Sequence, residues 1–275
     1  MRDWLPERPQ YVDILLELEA PIPTRPCYKC LAPGSMWRCE DCQGSPLYCD
    51  TCISEVHRCT PFHRVLKWQG THFEPAALHQ TGLTLYLGHH GKPCPCSAPH
   101  LQDPGQTSDQ SQPEFAGVYS EDNANPEEAG DQEAYQSASG GIPMEGYRPP
   151  VGNNPEGYPW LIFVDTTGVH YLPVCFCECR SPRARHIQLL EAGLYPATVK
   201  KPRTAFTFQV LDDFYLDNLE CKTPARNFYQ KLRRKTSNLF PHLVPVSLMT
   251  CQEKKTLIAF KGPISRASSA FTSVE

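Results

Sequence analysis

Long apolar runs are missing from this 275-residue chain: no stretch approaches the roughly 18 apolar residues that a bilayer-crossing helix needs. The leading residues Met1-Arg2-Asp3-Trp4-Leu5-Pro6 contain no continuous apolar segment of the kind that marks a secretory leader. No membrane partner is therefore expected, and an intracellular, reducing compartment is. Carboxylates are scarce where order is expected in the second half. Asp165, Asp212 and Asp213 are the only ones near predicted strand or helix starts. Asp165, close before Gly168, reads as a turn residue, and Asp212-Asp213 as a helix surface. Without a carboxylate constellation or a nucleophile–base pair, catalysis has no visible basis, and no small-molecule substrate is expected.

Aliphatic residues are scarce between Ser97 and Glu156, a segment rich in Ser, Gln, Gly, Pro, Asp and Glu. It cannot bury enough apolar area to offset the entropy of ordering it, so it reads as a disordered acidic linker. It holds 11 acidic residues and one basic residue, Arg148. The formal charge of −4 therefore conceals a net +6 elsewhere, and from Arg180 onward 16 basic residues face 7 acidic ones. That surplus suits an anionic partner, although an ordinary solvated surface carries such charge as well.

Cysteine, by contrast, is abundant and unevenly placed: of 14, seven lie between Cys27 and Cys59. Three pairs have C-x-x-C spacing, Cys27/Cys30, Cys39/Cys42 and Cys49/Cys52, and His57 and His63 follow. Such a pair turns the backbone tightly enough for both sulfurs to reach one ion, and tetrahedral zinc takes two pairs. Eight ligands imply two Zn2+ ions in a cross-brace, Cys27, Cys30, Cys49 and Cys52 at one and Cys39, Cys42, His57 and His63 at the other. Cys59 is an alternative to His57. Closed, sulfur-rich sets of this kind are structural rather than catalytic, and the metal takes the place of a core. A second group, Cys94/Cys96 and Cys175/Cys177/Cys179, lies on either side of the linker and would hold a third ion. His170 is a further candidate ligand there, or an ordinary packing residue.

Elsewhere the pattern is α+β. Tyr11, Ile14, Leu15 and Leu18 are spaced as one face of a helix from Arg8, and Leu83 to Leu87 reads as a strand. Trp160–Asp165 and Val169–Cys177 read as a β-hairpin turning at Thr167-Gly168, with Cys175, Cys177 and Cys179 alternating onto one face. Helices are predicted over Ile187–Ala192, Phe206–Leu219 and Pro224–Lys235. The fold class is thus a small zinc-stabilised N-terminal cross-brace finger plus an α+β zinc-binding region, separated by a disordered linker. The corresponding segments are 8–68 for the cross-brace, 69–96 for a strand and the first CxC segment and 97–156 for the linker. Residues 157–238 hold the CxC hairpin and helices, and 239–275 an irregular tail.

Several short strings occur in a shared order: Gly82-Leu83-x-Leu85-x-Leu87-Gly88-His89-x-Gly91, Cys94-Pro95, Val164-Asp165-x-x-Gly168-x-His170 and Cys175-Phe176-Cys177-x-Cys179. Gln188-Leu189-Leu190, Pro196-Ala197-Thr198 and Pro202-x-Thr204-Ala205-Phe206-Thr207-Phe208 follow. Over about residues 8 to 238 the chain resembles the CxC-type cysteine-cluster domain found N-terminal to the Kyakuja–Dileera–Zisupton (KDZ) transposases of fungal mobile elements. The resemblance implies a zinc-chelating accessory domain that engages DNA or chromatin. It also implies that the RNase H-like catalytic domain lies further along than these residues, so no catalytic residue is expected here. The basic residues Lys200, Lys201 and Arg203, and Lys231, Arg233, Arg234 and Lys235, are the candidates for phosphate contact, and the second run is a weak nuclear-import signal. The alternative is a B-box or ZZ-like adaptor that binds a protein partner and no nucleic acid.

Overall fold

The computed structural model describes residues 4–19, 25–34, 36–96, 153–238, 241 and 244. The expected linker falls almost wholly outside the described residues, as does most of the tail. The predicted first helix, α1 (Arg8–Glu19), is present, but none of its residues is buried.

The cysteine-rich stretch is built on a sheet that the sequence pattern does not announce. Strands β1 (Trp37–Cys39), β2 (Leu47–Tyr48), β3 (Val65–Trp68) and β4 (Phe73–Ala76) pair antiparallel in the order β2-β1-β3-β4. Strands of two to four residues are too short to display a period of two, which is why the pattern is silent. Helix α2 (Asp50–Val56) follows β2, and the Trp37 indole N–H donates to Asp50 Oδ1 at 2.7 Å, fastening its first turn to β1. A 3-10 turn (Leu78–Thr81) then leads to β5 (Leu85–Tyr86).

The predicted hairpin is β6 (Trp160–Asp165) and β7 (Gly168–Cys175), with Asp165 opposite Gly168 and Thr166-Thr167 as a two-residue turn. Strand β5 adds parallel to β7. On the other side β9 (Thr204–Thr207) lies parallel to β6, and β8 (Leu194–Pro196) pairs antiparallel with β9, giving the order β5-β7-β6-β9-β8. Three helices complete the region: α3 (Arg185–Glu191), α4 (Phe208–Cys221) and α5 (Ala225–Thr236). Boundaries differ from expectation: the turn is Thr166-Thr167 rather than Thr167-Gly168, β7 ends at Cys175 rather than Cys177, and Phe206 lies in β9 and not in a helix. The unbroken run Ala205-Phe206-Thr207-Phe208 hides the change, and Thr207 marks it. Its hydroxyl accepts the Val210 N–H at 3.2 Å and so caps α4.

Alternation along the hairpin sorts its residues between two cores. Leu161, Phe163, Leu172 and Val174 enter a cluster with Leu189 of α3 and with Cys27, Trp37, Tyr48, Ile53 and Val65 of the cysteine-rich stretch. Val164, Val169 and Tyr171 enter the other, with Phe206 of β9, Val210, Leu211 and Phe214 of α4, and Phe228 and Leu232 of α5. The metal-ligand segment therefore does not rely on ligands alone: it shares one apolar core with the hairpin. Phe62 stacks 5.2 Å from Phe163, and Thr167 Oγ1 lies 2.6 Å from the Phe62 carbonyl, tying the hairpin turn to the residue before His63. Each such fully buried aliphatic or aromatic side chain contributes about 1.5–3 kcal/mol. Among the described residues no helix is long and apolar enough to cross a membrane.

Gly168 is where α5 meets the turn. A Cβ there would sit 2.7 Å from Thr236 Oγ1 and 3.3 Å from its backbone nitrogen, at a φ of +144° that side chains disfavour. Thr236 Oγ1 is itself 2.8 Å from the Val169 N–H. Gly168→Ala should destabilise the protein by about 1–3 kcal/mol through this overpacking. Urea unfolding of the metal-loaded protein checks this; an unchanged midpoint would contradict it.

Candidate metal centres

The first set of donors comes from two turns. Cys27 opens a tight turn closed by the Leu31 N–H on the Cys27 carbonyl (2.9 Å), with Leu31 in the left-handed region at φ 61°. The Tyr28 N–H donates to the Leu47 carbonyl at 2.8 Å and holds this turn against β2. Cys49 caps α2, and Cys52 lies in its first turn. The sulfurs of Cys27, Cys30, Cys49 and Cys52 all lie within 4.8 Å of one another, Cys30 and Cys49 at 3.8 Å. Burial pushes the Cys27 thiol up, but backbone N–H groups of Cys30, Cys49 and Lys29 outweigh it and bring the pKa down to about 6. Burial and the neighbouring sulfurs push Cys52 up to about 12. Four sulfurs so close cannot all ionise without a cation among them, and the cluster could hold a metal ion that supplies that charge.

The second set is Cys39, Cys42, His57 and His63, again within 4.8 Å. His63 Nδ1 lies 3.5 Å from the sulfurs of both Cys39 and Cys42, and His57 Nε2 lies 3.5 Å from Cys42. His57 Nδ1 faces the Ile53 carbonyl at 2.8 Å, and only its protonated form can donate there. That contact fixes the tautomer and leaves Nε2 as the ligand atom. Burial lowers the His57 pKa and favours the neutral ring that a metal requires. Cys59, the alternative to His57 in the sequence, is exposed and outside the group. Spacing alone does not separate the two; the Ile53 contact one helical turn back does.

An ion pair braces this set. The Arg64 guanidinium forks onto Asp41, with Nη2 to Oδ1 at 2.6 Å, and the Arg64 N–H reaches Asp41 Oδ2 at 2.6 Å. Asp41 stands between Cys39 and Cys42, and Arg64 beside His63, so the pair locks the two ligand-bearing loops together. Burial would raise the Asp41 pKa, but the Arg64 hydrogen bonds and charge hold it below the usual carboxylate range.

The third set departs from the sequence-based expectation. His89, Cys94, Cys177 and Cys179 converge, with His89 Nε2 at 3.3 Å from both Cys177 and Cys179, and Cys94 at 3.5 Å from Cys179. Cys175 is not among them. Strand β7 ends at Cys175, so the alternation that would put three cysteines on one face stops there, and Cys175 is buried. Cys96 is exposed, within hydrogen-bonding reach of Cys179 but outside the four. Hydrogen bonds from Cys94 and Cys96, with burial added, push Cys179 up to about 12. Gln188 of α3 latches the ligand loop: its Oε1 accepts the Cys177 N–H at 2.8 Å, and its Nε2 donates to the carbonyls of Cys177 and Arg183. His89 is legible in the sequence only as part of Gly88-His89-His90-Gly91. Gly88 lies at φ 80°, which side chains disfavour, and a Cβ there would crowd that of Cys177 at 3.1 Å.

Other candidates have packing roles. His170 stands outside every donor group. Burial holds its pKa down to about 4, and its Nε2 lies 2.9 Å from Thr167 Oγ1. Asp165 is buried under hydrogen bonds from the Thr207 hydroxyl (2.7 Å) and the Thr167 N–H (3.1 Å). Asp212 is exposed, and Asp213 lies 3.7 Å from Lys231. Among the basic candidates, Lys200, Lys201 and Arg203 on the β8–β9 connection and Arg234 and Lys235 on α5 are exposed, with Lys235 Nζ on the Thr166 carbonyl. Two do not present themselves to an anion in this way: Lys231 is matched by Asp217 at 2.6 Å, and Arg233 is buried. The buried stripe of α5 runs through Phe228, Tyr229, Leu232 and Arg233, which the run of charge obscures.

Elemental analysis of purified, reduced protein should give three bound ions per chain. His57→Ala and Cys177→Ser should each lower the count by one, while Cys59→Ala and Cys175→Ser leave it at three. A count of two in either of the latter pair would contradict the ligand sets.

No curated protein and no solved structure matches this chain. The matched family model describes a cysteine cluster rather than a catalytic domain. Residues 152–239, which hold the hairpin, Cys177, Cys179 and the Gln188 latch, match the CxC2-like cysteine cluster associated with KDZ transposases.

Proposed function

We propose that this chain is a zinc-held accessory module of a KDZ-transposase-like protein, that it performs no chemistry itself, and that it engages DNA or chromatin in the nucleus. The observation carrying this reading is the closure of the donor sets: each supplies four Cys/His atoms, leaving no position for a reactive water. The spacings favour zinc. A tetrahedron with Zn–S of about 2.3 Å and Zn–N of about 2.0 Å has S···S edges of about 3.8 Å and S···N edges of about 3.5 Å. The separations of 3.8 Å for Cys30–Cys49 and 3.5 Å for Cys42–His57 meet those values. They are also far too long for disulfides, whose sulfurs sit about 2.0 Å apart.

Phosphate contact rests on the exposed basic groups of Lys200, Lys201, Arg203 and Arg234. Base-specific reading has no candidate element among the described residues. A protein-binding adaptor of B-box or ZZ type is the second reading, favoured by Tyr28 and Leu31, each 73% exposed on the first ligand turn.

Zinc-loaded protein should bind duplex DNA with an affinity that falls steeply with salt. Lys200→Glu, Lys201→Glu and Arg203→Glu together should flatten the log–log salt slope by about 0.9 for each phosphate they cease to neutralise. Lys231→Ala should leave the slope unchanged. No binding at low salt, measured by fluorescence anisotropy, would remove DNA from the account, and capture of a protein partner uncompeted by DNA would favour the adaptor.

A further inference from the structure

Alone among the α-helices of the described residues, α1 has every residue exposed. Tyr11, Val12, Ile14, Leu15, Leu16 and Leu18 are between 44% and 63% exposed. With 3.6 residues per turn, they cover somewhat more than half the circumference, leaving Gln10, Asp13 and Glu17 as a polar strip. A helix of 12 residues is too short to persist unsupported in water. Its C-terminal end is nevertheless held in place: Arg38 of β1 donates to the Leu18 carbonyl at 2.6 Å and to Glu19 at 3.4 Å. The helix is thus presented from the β1 sheet with its apolar arc uncovered.

The charges inside that arc indicate the occupant. Arg8 and Glu19 are about three turns apart on the same side, within the arc between Leu15 and Val12 when viewed down the axis. One end of the arc carries a positive charge and the other a negative one. A second α1 laid antiparallel sets each Arg8 against the opposing Glu19, whereas a parallel copy sets like against like. Glu19 has 72% of its side chain exposed beside Arg38 and remains accessible to such a pairing. We infer that α1 is a self-association element that pairs antiparallel with the same helix of a second copy of this chain. The apolar arcs supply the driving force and the Arg8–Glu19 pairs the direction.

The test is the molar mass of the full, zinc-loaded chain by light scattering over a concentration series. The wild type should be a dimer that dissociates on dilution. Leu15→Asp should be monomeric at every concentration, and its metal content should stay that of the wild type, because α1 contributes nothing to the cores. Arg8→Glu or Glu19→Arg alone should weaken the dimer at least tenfold, and the two together should restore it. A monomeric wild type, a Leu15→Asp dimer, or a double variant no tighter than the singles would overturn the proposal.

Discussion

Twelve sulfur and imidazole donors converge on three points of this fold, each group within 4.8 Å, and this crowding is the constraint on which everything else depends. Without positive charge among them, burial with the neighbouring sulfurs pushes the Cys52 thiol up to about 12, and the neighbouring sulfurs with burial do the same to Cys179. With a divalent cation the same crowding becomes a tetrahedral clamp, and ligand binding energy becomes folding energy. Two clamps interleave along residues 27–63, so neither loop can be released while the other is held. The third joins His89 and Cys94 to the exit of β7, more than 80 residues away in sequence.

The clamps do not stand alone. Asp41 and Arg64 brace one of them, Gln188 latches another, and the hairpin turn reaches the Phe62 carbonyl beside His63. The five-stranded sheet carries this through the molecule. Its one face packs on the ligand-bearing stretch, and its other face receives α4 and α5. Asp165 and Thr207 join neighbouring strand ends by a buried hydrogen bond of 2.7 Å, so this carboxylate, for all its position at a strand end, is engaged in holding β6, β9 and the cap of α4.

Much of this is legible in the residues, and the misses have physical causes. The C-x-x-C pairs display their spacing because a local turn fixes it, and the hairpin shows because six to eight residues suffice for alternation. The β1–β4 sheet is silent because its strands, two to four residues long, hold at most two repeats of alternation. His89 carries no local mark of a ligand, because Cys177 and Cys179 lie 88 and 90 residues further along the sequence and only tertiary structure closes that distance. Cys175 reads as a ligand only while alternation is extended past the strand's end. The basic run on α5 reads as uniformly exposed because local charge says nothing of the stripe that buries Arg233 or of Asp217 on the preceding helix.

The proposed accessory role needs a rigid frame and surfaces to offer, and on this proposal the frame rests on metal while basic loops and an uncovered helix supply the surfaces. The most direct test is near-ultraviolet circular dichroism of the chain stripped of metal under reducing conditions. The account predicts collapse of the aromatic signal from Trp37 and Tyr48, which sit in the core shared with the ligands, and its return on adding zinc. An unchanged spectrum in fully stripped, reduced protein would contradict it.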